Sequence, residues 1–147
     1  MKTLKQLLEQ NYIRIKLGQG TNPEKANNFI KDFHKQSLEH PFHRSTRIFH
    51  NNAIDLSRDG SEVHIHDIVS LDPNKGHGTK GLKELTKLAD KHGVKLNLHA
   101  LAYTKDPNYI THTPTLIKWY KKHGFQHEDP DYDERGGSEM KYYPKGE

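Results

Sequence analysis

Glu62 to Gly93 reads EVHIHDIVSLDPNKGHGTKGLKELTKLADKHG and holds a strand, a loop and a helix in direct succession. The strand, Glu62 to Leu71, is rich in β-branched residues and its apolar run thickens toward the end. That pattern predicts a central strand buried on both faces. Asp72 to Thr79 is a Gly/Pro/Asn loop that opens onto a helix with Leu82, Leu85, Leu88 and Ala89 on one face, ended by Gly93. A tight turn from strand into helix gathers backbone N–H groups at the helix N-terminus, where the dipole also favours negative charge. Gly76, Gly78 and Gly81 let an anion come close, and Lys75 and Lys80 add positive charge. The main-chain amides around residues 75 to 80, those of His77 and Thr79 included, read as a pyrophosphate cradle. It is not a Walker loop, because GxxxxGK[ST] is absent. Gly76-x-Gly78-x-x-Gly81 matches the dinucleotide pattern, yet no acidic residue ends the next strand, KLNLHAL.

Working outward, NYIRIKL at residues 11–17 alternates as a first strand, and Gly18 to Asn22 form a turn. Asn22 can cap a helix that begins at Pro23, carries Ala26, Phe29, Ile30 and Phe33, and fades before Pro41. Arg47–Asn51 and Ala53–Ser57 predict a hairpin around Asn51-Asn52, with a turn at Arg58 to Ser61. Downstream come a strand at Lys95–Leu101, a polar loop at Thr104–Thr111, and a helix from Thr113-Pro114 through Leu116, Ile117, Trp119 and Tyr120 to Gly124. A strand at Phe125, an acidic Gly-rich loop from Glu128 to Gly137 and a last strand, Ser138–Tyr143, complete one domain of mixed α/β type.

Composition narrows the function. At 147 residues and 31% apolar content the chain has room for one thin core. With no cysteine, disulfides, zinc–thiolate sites and thiol nucleophiles are all excluded. No apolar run approaches the roughly 18–20 residues that span a bilayer, and Met1 to Gln10 carry no signal-type stretch, so the cytoplasm is the expected location. The net charge of +4 is a mild excess that suits a polyanionic cofactor as well as nucleic acid.

The run LIKWYKKHGF (Leu116 to Phe125) places a tyrosine four residues before a Gly-Phe that closes the helix. With the loop at Gly76 and Gly78, and with Tyr120, Gly124 and Phe125, the chain resembles the GNAT N-acetyltransferase superfamily from about residue 47 to 143. Residues 11–40 match that family's more variable first strand and helices. One departure is Pro73, at the family's Gln/Arg position of the loop, where Lys75 would partly replace the lost contact. The resemblance implies a central mixed, mostly antiparallel sheet flanked by helices, and an acetyl-CoA cosubstrate. It also implies direct attack by an amine, without an acyl-enzyme. It makes Tyr120 the acid for the leaving thiolate, the alternative being a tyrosine that only packs on the sheet. For the base it points to His64, with Glu62 relaying through water, or to Glu62 itself; the alternative for either is a solvated strand residue. It assigns the pantetheine arm to the backbone of Ile68, Val69 and Ser70, if the family's bulge is present in that strand. It puts Thr113 at a cofactor-touching position, although an N-cap is the simpler role.

Strict alternation puts Glu62, His64 and His66 on one face and Asp67 on the other, as a structural residue. His64-x-His66 also resembles the start of a metal site, but the other histidines lack ligand spacing and no metal is expected. The lysine stripes (Lys80, Lys83, Lys87, Lys91 and Lys118, Lys121, Lys122) raise the alternative of nucleic-acid binding, and a catalytically silent acyl-CoA-binding module is a third reading. The acceptor stays open between a small amine and a protein lysine or N-terminus, and so does a homodimer. The acidic stretch Glu128, Asp129, Asp131, Asp133 and Glu134 is either a lure for a cationic amine or a solvated loop.

Overall fold

The computed structural model describes residues 23–145 apart from residue 134. The strand expected at 11–17, the turn at 18–22 with its cap Asn22, and Glu134 of the acidic loop lie outside the described residues. Helix α1 (Glu24–Gln36) starts directly after Pro23 and buries Ala26, Phe29 and Phe33. Its C-terminal carbonyls are met by Arg47, whose guanidinium donates to Ser37 Oγ at 2.7 Å, Ser37 O at 3.0 Å and His34 O at 3.2 Å. A cation there is favoured by the helix dipole.

Seven strands follow among the described residues: β1 (Leu38–Glu39), β2 (Thr46–Phe49), β3 (Asn52–Asp59), β4 (Glu62–Ser70), β5 (Leu96–Ala100), β6 (Gln126–His127) and β7 (Ser138–Tyr142). They form one sheet in the order β1-β2-β3-β4-β5-β7-β6. Only β4 and β5 pair in parallel, and helix α2 (His77–His92) supplies the crossover that a parallel pair needs. Helix α3 (Thr113–Lys122) lies between β5 and β6 in the chain. The fold is therefore mixed α/β with a mostly antiparallel sheet, as the sequence led us to expect. The β2–β3 turn falls on His50-Asn51, both at positive φ, one residue earlier than predicted.

Register shows where the core sits. Leu56 faces Ile65, Val63 lies beside Leu96, Leu98 faces Met140 and Leu96 faces Tyr142, so these side chains share one face. That face meets Phe29, Phe33, Leu82, Leu85 and Leu88 in a single buried cluster. Asp32 of α1 binds Lys91 and His92 of α2, both at 2.8 Å, and ties the two helices together. On the opposite face Asp55, Ser57, His64, Asn97, His99, Glu139 and Lys141 are half-buried or exposed. The acidic loop is ordered by its own carboxylates: Asp129 accepts the amide of Asp131, and Asp133 that of Arg135, each at 2.9 Å.

β4 departs from expectation. Val63 and Ile65 are buried, but His66 and Asp67 are exposed and Ile68 to Ser70 only half-buried. Two features cause this. Leu56 pairs with Ile65 while Asp55 pairs with Asp67, which leaves His66 as the extra residue of a β-bulge. Pairing with β5 covers only Val63 to Ile65, so the two strands part just where the bulge begins.

Candidate active site

The parting of β4 and β5 opens a cleft of about 390 Å³ that runs from the N-terminus of α2 to the polar face of the sheet. Its floor is β4 from Ile65 to Ser70, and its far wall is Leu98, His99 and Leu101 to Thr104. β3 keeps one edge of β4, with Leu71 N donating to Asn51 O at 2.9 Å. The other edge beyond Ile65 has no strand partner among the described residues, so the main-chain groups of Ile68 and Ser70 face the cleft, while Leu71 and Val69 turn theirs to β3. Tyr109 reaches across and donates its hydroxyl to Ser70 O at 3.1 Å.

At one end sit Gly76, His77, Gly78 and Thr79. The first intrahelical bond of α2 is Lys80 N to Gly76 O, so the amides of His77, Gly78 and Thr79 have no carbonyl within their helix. Gly76 adopts φ +78 with open space around it, which is what lets the chain turn into the helix there. Gly81 has a different task from the one its sequence position suggested. A Cβ there would lie 2.4 Å from Asn52 Nδ2, which donates to His77 O at 2.8 Å and to His50 O at 2.9 Å. Asn52 therefore locks the start of α2 onto the β2–β3 turn, and Gly81 makes room for it. Trp119 Nε1 donates to Thr79 Oγ1 at 3.2 Å and closes the other flank. Lys75 and Lys80 do not line the cleft; Lys80 pairs with Glu84 at 3.4 Å.

Tyr120 lies in the middle. It is 8% exposed, lines the cleft, and its hydroxyl meets no hydrogen-bond partner among the described residues. Burial, and then the charge of Asp67 and the phenol of Tyr103, hold that hydroxyl well above the ordinary tyrosine range. It stays protonated at every physiological pH. Helix packing fixes it: the ring stacks edge-on against Phe125, and Phe125 leans on Tyr142.

The other end is polar and made of His66, Asp67, His99 and Tyr103. Asp67 accepts a hydrogen bond from the hydroxyl of Tyr103, whose titration is pushed up to about 12 by burial and that carboxylate. His66 meets Ser57 Oγ at 2.7 Å, and His99 bridges Glu139 at 2.7 Å and Gly136 O at 2.6 Å.

Glu62 and His64 are not in the cleft. They sit where β4 and β5 are still paired, which leaves no gap for a substrate. Asn97 donates to Glu62 at 3.0 Å and to Asp59 at 3.2 Å, so its oxygen accepts from His64 Nδ1. Lys141 neutralises Glu62 at 3.2 Å and Glu128 at 3.0 Å. Asp67, by contrast, is carried by the bulge onto the face of Glu62 and His64, against the alternation rule. Thr113 neither caps α3 nor lines the cleft; buried, its hydroxyl accepts the amide of Ala102 at 3.1 Å and anchors the wall. Among the described residues no three metal-ligating side chains come together.

The chain is similar to a solved N-acetyltransferase. That protein, PaiA of Thermoplasma acidophilum in complex with coenzyme A, shares 21% identity at a TM-score of 0.44, over 69% of this chain and 57% of its own. The anti-CRISPR protein AcrVA5 is similar at 24% identity and a TM-score of 0.49, over 63% of this chain and 90% of its own. No protein-family model and no curated protein matches the sequence. Both structural likenesses are remote and partial, so the chemistry is read from the cleft's own residues.

Proposed function

We propose that this chain transfers an acyl group, acetyl in the simplest case, from coenzyme A to a primary amine within a ternary complex. The observation that carries the reading is convergence in one cleft. Free amides at a helix N-terminus, an unpaired strand edge and the unpartnered hydroxyl of a buried tyrosine all line it. A pyrophosphate suits the amides of His77, Gly78 and Thr79. An extended arm with two amide groups suits the open edge of Ile68 and Ser70, as an added strand would. That arm would bring a thioester toward Tyr120.

The amine, having given one proton to water at the polar mouth, attacks the thioester carbonyl carbon. The C–N bond forms as the carbonyl electron pair moves to oxygen, and its return breaks the C–S bond. Nitrogen gives a second proton to water and the departing thiolate takes one up from water, so acyl thioester and ammonium become amide, thiol and one proton released to solvent. Thiols titrate near about 8.5, far below Tyr120 as the cleft holds it. Tyr120 therefore steadies the departing thiolate with a hydrogen bond and does not surrender its own proton.

Titrating acetyl-CoA by calorimetry and following thiol release with an amine panel tests the reading; binding with no thiol release would leave only the silent module. The nucleic-acid alternative is disfavoured, since Lys80 and Lys87 both sit on Glu84 and Lys91 sits on Asp32.

A further inference from the structure

The loop between β5 and α3 is tied at its two roots, where the amide of Ala102 donates to Thr113 Oγ1 at 3.1 Å. Within it Tyr109 N donates to Asp106 O at 3.0 Å, Asp106 N to Thr104 Oγ1 at 3.1 Å and Asn108 N to Asp106 Oδ1 at 3.0 Å. A compact surface loop with joined ends and internal bonds of this kind is a self-contained unit. None of residues 101–112 is buried. Among the described residues, only two hydrogen bonds run from 103–111 to the rest of the chain, and both come from tyrosine hydroxyls. Tyr103 donates to Asp67, and Tyr109 donates to Ser70 O at 3.1 Å. Both acceptors belong to β4, so the loop is stitched across the cleft from wall to floor. A segment with no buried residue and two outward bonds opens at low cost.

The second stitch lies on a functional atom. Ser70 O sits on the edge of β4 that β5 leaves open, and an added strand would use that carbonyl to accept an amide N–H. Tyr109 holds it instead.

We propose that residues 103–111 form a lid, latched onto β4 by Tyr103 and Tyr109 and hinged at Ala102 and Thr113, that must lift before the extended arm of the donor can enter. The lid rests on the acyl-transfer reading, since the arm and Tyr109 compete for Ser70 O. Tyr103 takes no part in that competition, because its acceptor is a side chain. It sets only how often the lid lifts, and the donor's apparent affinity falls with the fraction of lifted molecules.

Stopped-flow mixing with acetyl-CoA tests this through Trp119, the one tryptophan of the chain, which lines the cleft. Tyr109→Phe should speed association and tighten the dissociation constant about fivefold, as loss of one hydrogen bond from the closed state does. Tyr103→Phe should speed association about threefold or more. Without ligand, trypsin should cut after Lys105 about threefold faster in either variant, as mass spectrometry reads it. Melting should not move, because the loop buries nothing. Association unchanged in both variants overturns the lid and leaves acyl transfer standing. Acceleration in Tyr109→Phe alone also overturns it, for the tyrosine then blocks one atom and latches nothing. Binding seen only in the variants supports it. No binding of acetyl-CoA by any of the three proteins removes the acyl-transfer reading and the competition at Ser70 together.

Discussion

The two ends of the cleft are built from different material. The end at the start of α2 is backbone: amides freed by a helix start, held by Asn52 and Trp119, with Lys75 and Lys80 outside the lining. The opposite end is side chain: His66, Asp67, His99 and Tyr103, set by one bulge and one strand divergence. A backbone site follows from a turn and its glycines. A side-chain site depends on register, and one extra residue moves a carboxylate from one face of a sheet to the other.

The largest effect should come from the middle, which both ends serve. Tyr120→Phe should lower kcat about 10²–10³-fold with acetyl-CoA Kd nearly unchanged, as loss of one donor to a developing anion does. Equal losses in kcat and in binding would make Tyr120 a packing residue. Next, Gly81→Ala and Gly78→Ala should separate within one motif. A Cβ at Gly81 meets Asn52 Nδ2 at 2.4 Å, so that variant should lose about 1–3 kcal/mol and bind acetyl-CoA more weakly. A Cβ at Gly78 finds Trp119 at 3.7 Å, an ordinary contact, and urea unfolding of that variant should match the wild type.

How much of this is legible in the sequence follows the same division. The strand–loop–helix unit, the hairpins and the start of α2 follow from glycines, caps and period. The placement of Tyr120 and the bulge came from family resemblance, since neither periodicity nor spacing reveals a bulge at His66. Glu62 and His64 come forward from the resemblance and from strand alternation, neither of which shows where β4 and β5 part company. Alternation puts Asp67 on the wrong face because it does not survive an inserted residue. The sequence marks Asn52 only as a turn residue; its hold on α2 comes from the carbonyl of His77, 25 residues away.

Smaller effects sharpen the contrast. His64→Ala should change kcat less than about threefold, because its imidazole is engaged with Asn97 outside the cleft. A bell-shaped pH profile that vanishes in that variant would restore it as the base. Away from the cleft, the Asp32 carboxyl is held well below its usual range, chiefly by hydrogen bonds from Lys91 and then His92. Its stabilisation is full above the unfolded value of about 3.9 and fades as pH falls through the lowered folded one. Thermal melts of Asp32→Asn should thus lie below the wild type at pH 7 and converge with it in strong acid.

Acyl transfer in this cleft requires that three amides grip a diphosphate. Calorimetric titration of acetyl-CoA should give one site per chain, with a dissociation constant between about 1 µM and 1 mM. Amide signals of His77, Gly78 and Thr79 should shift on binding. No heat at millimolar ligand, or binding that leaves those three signals in place, would contradict it.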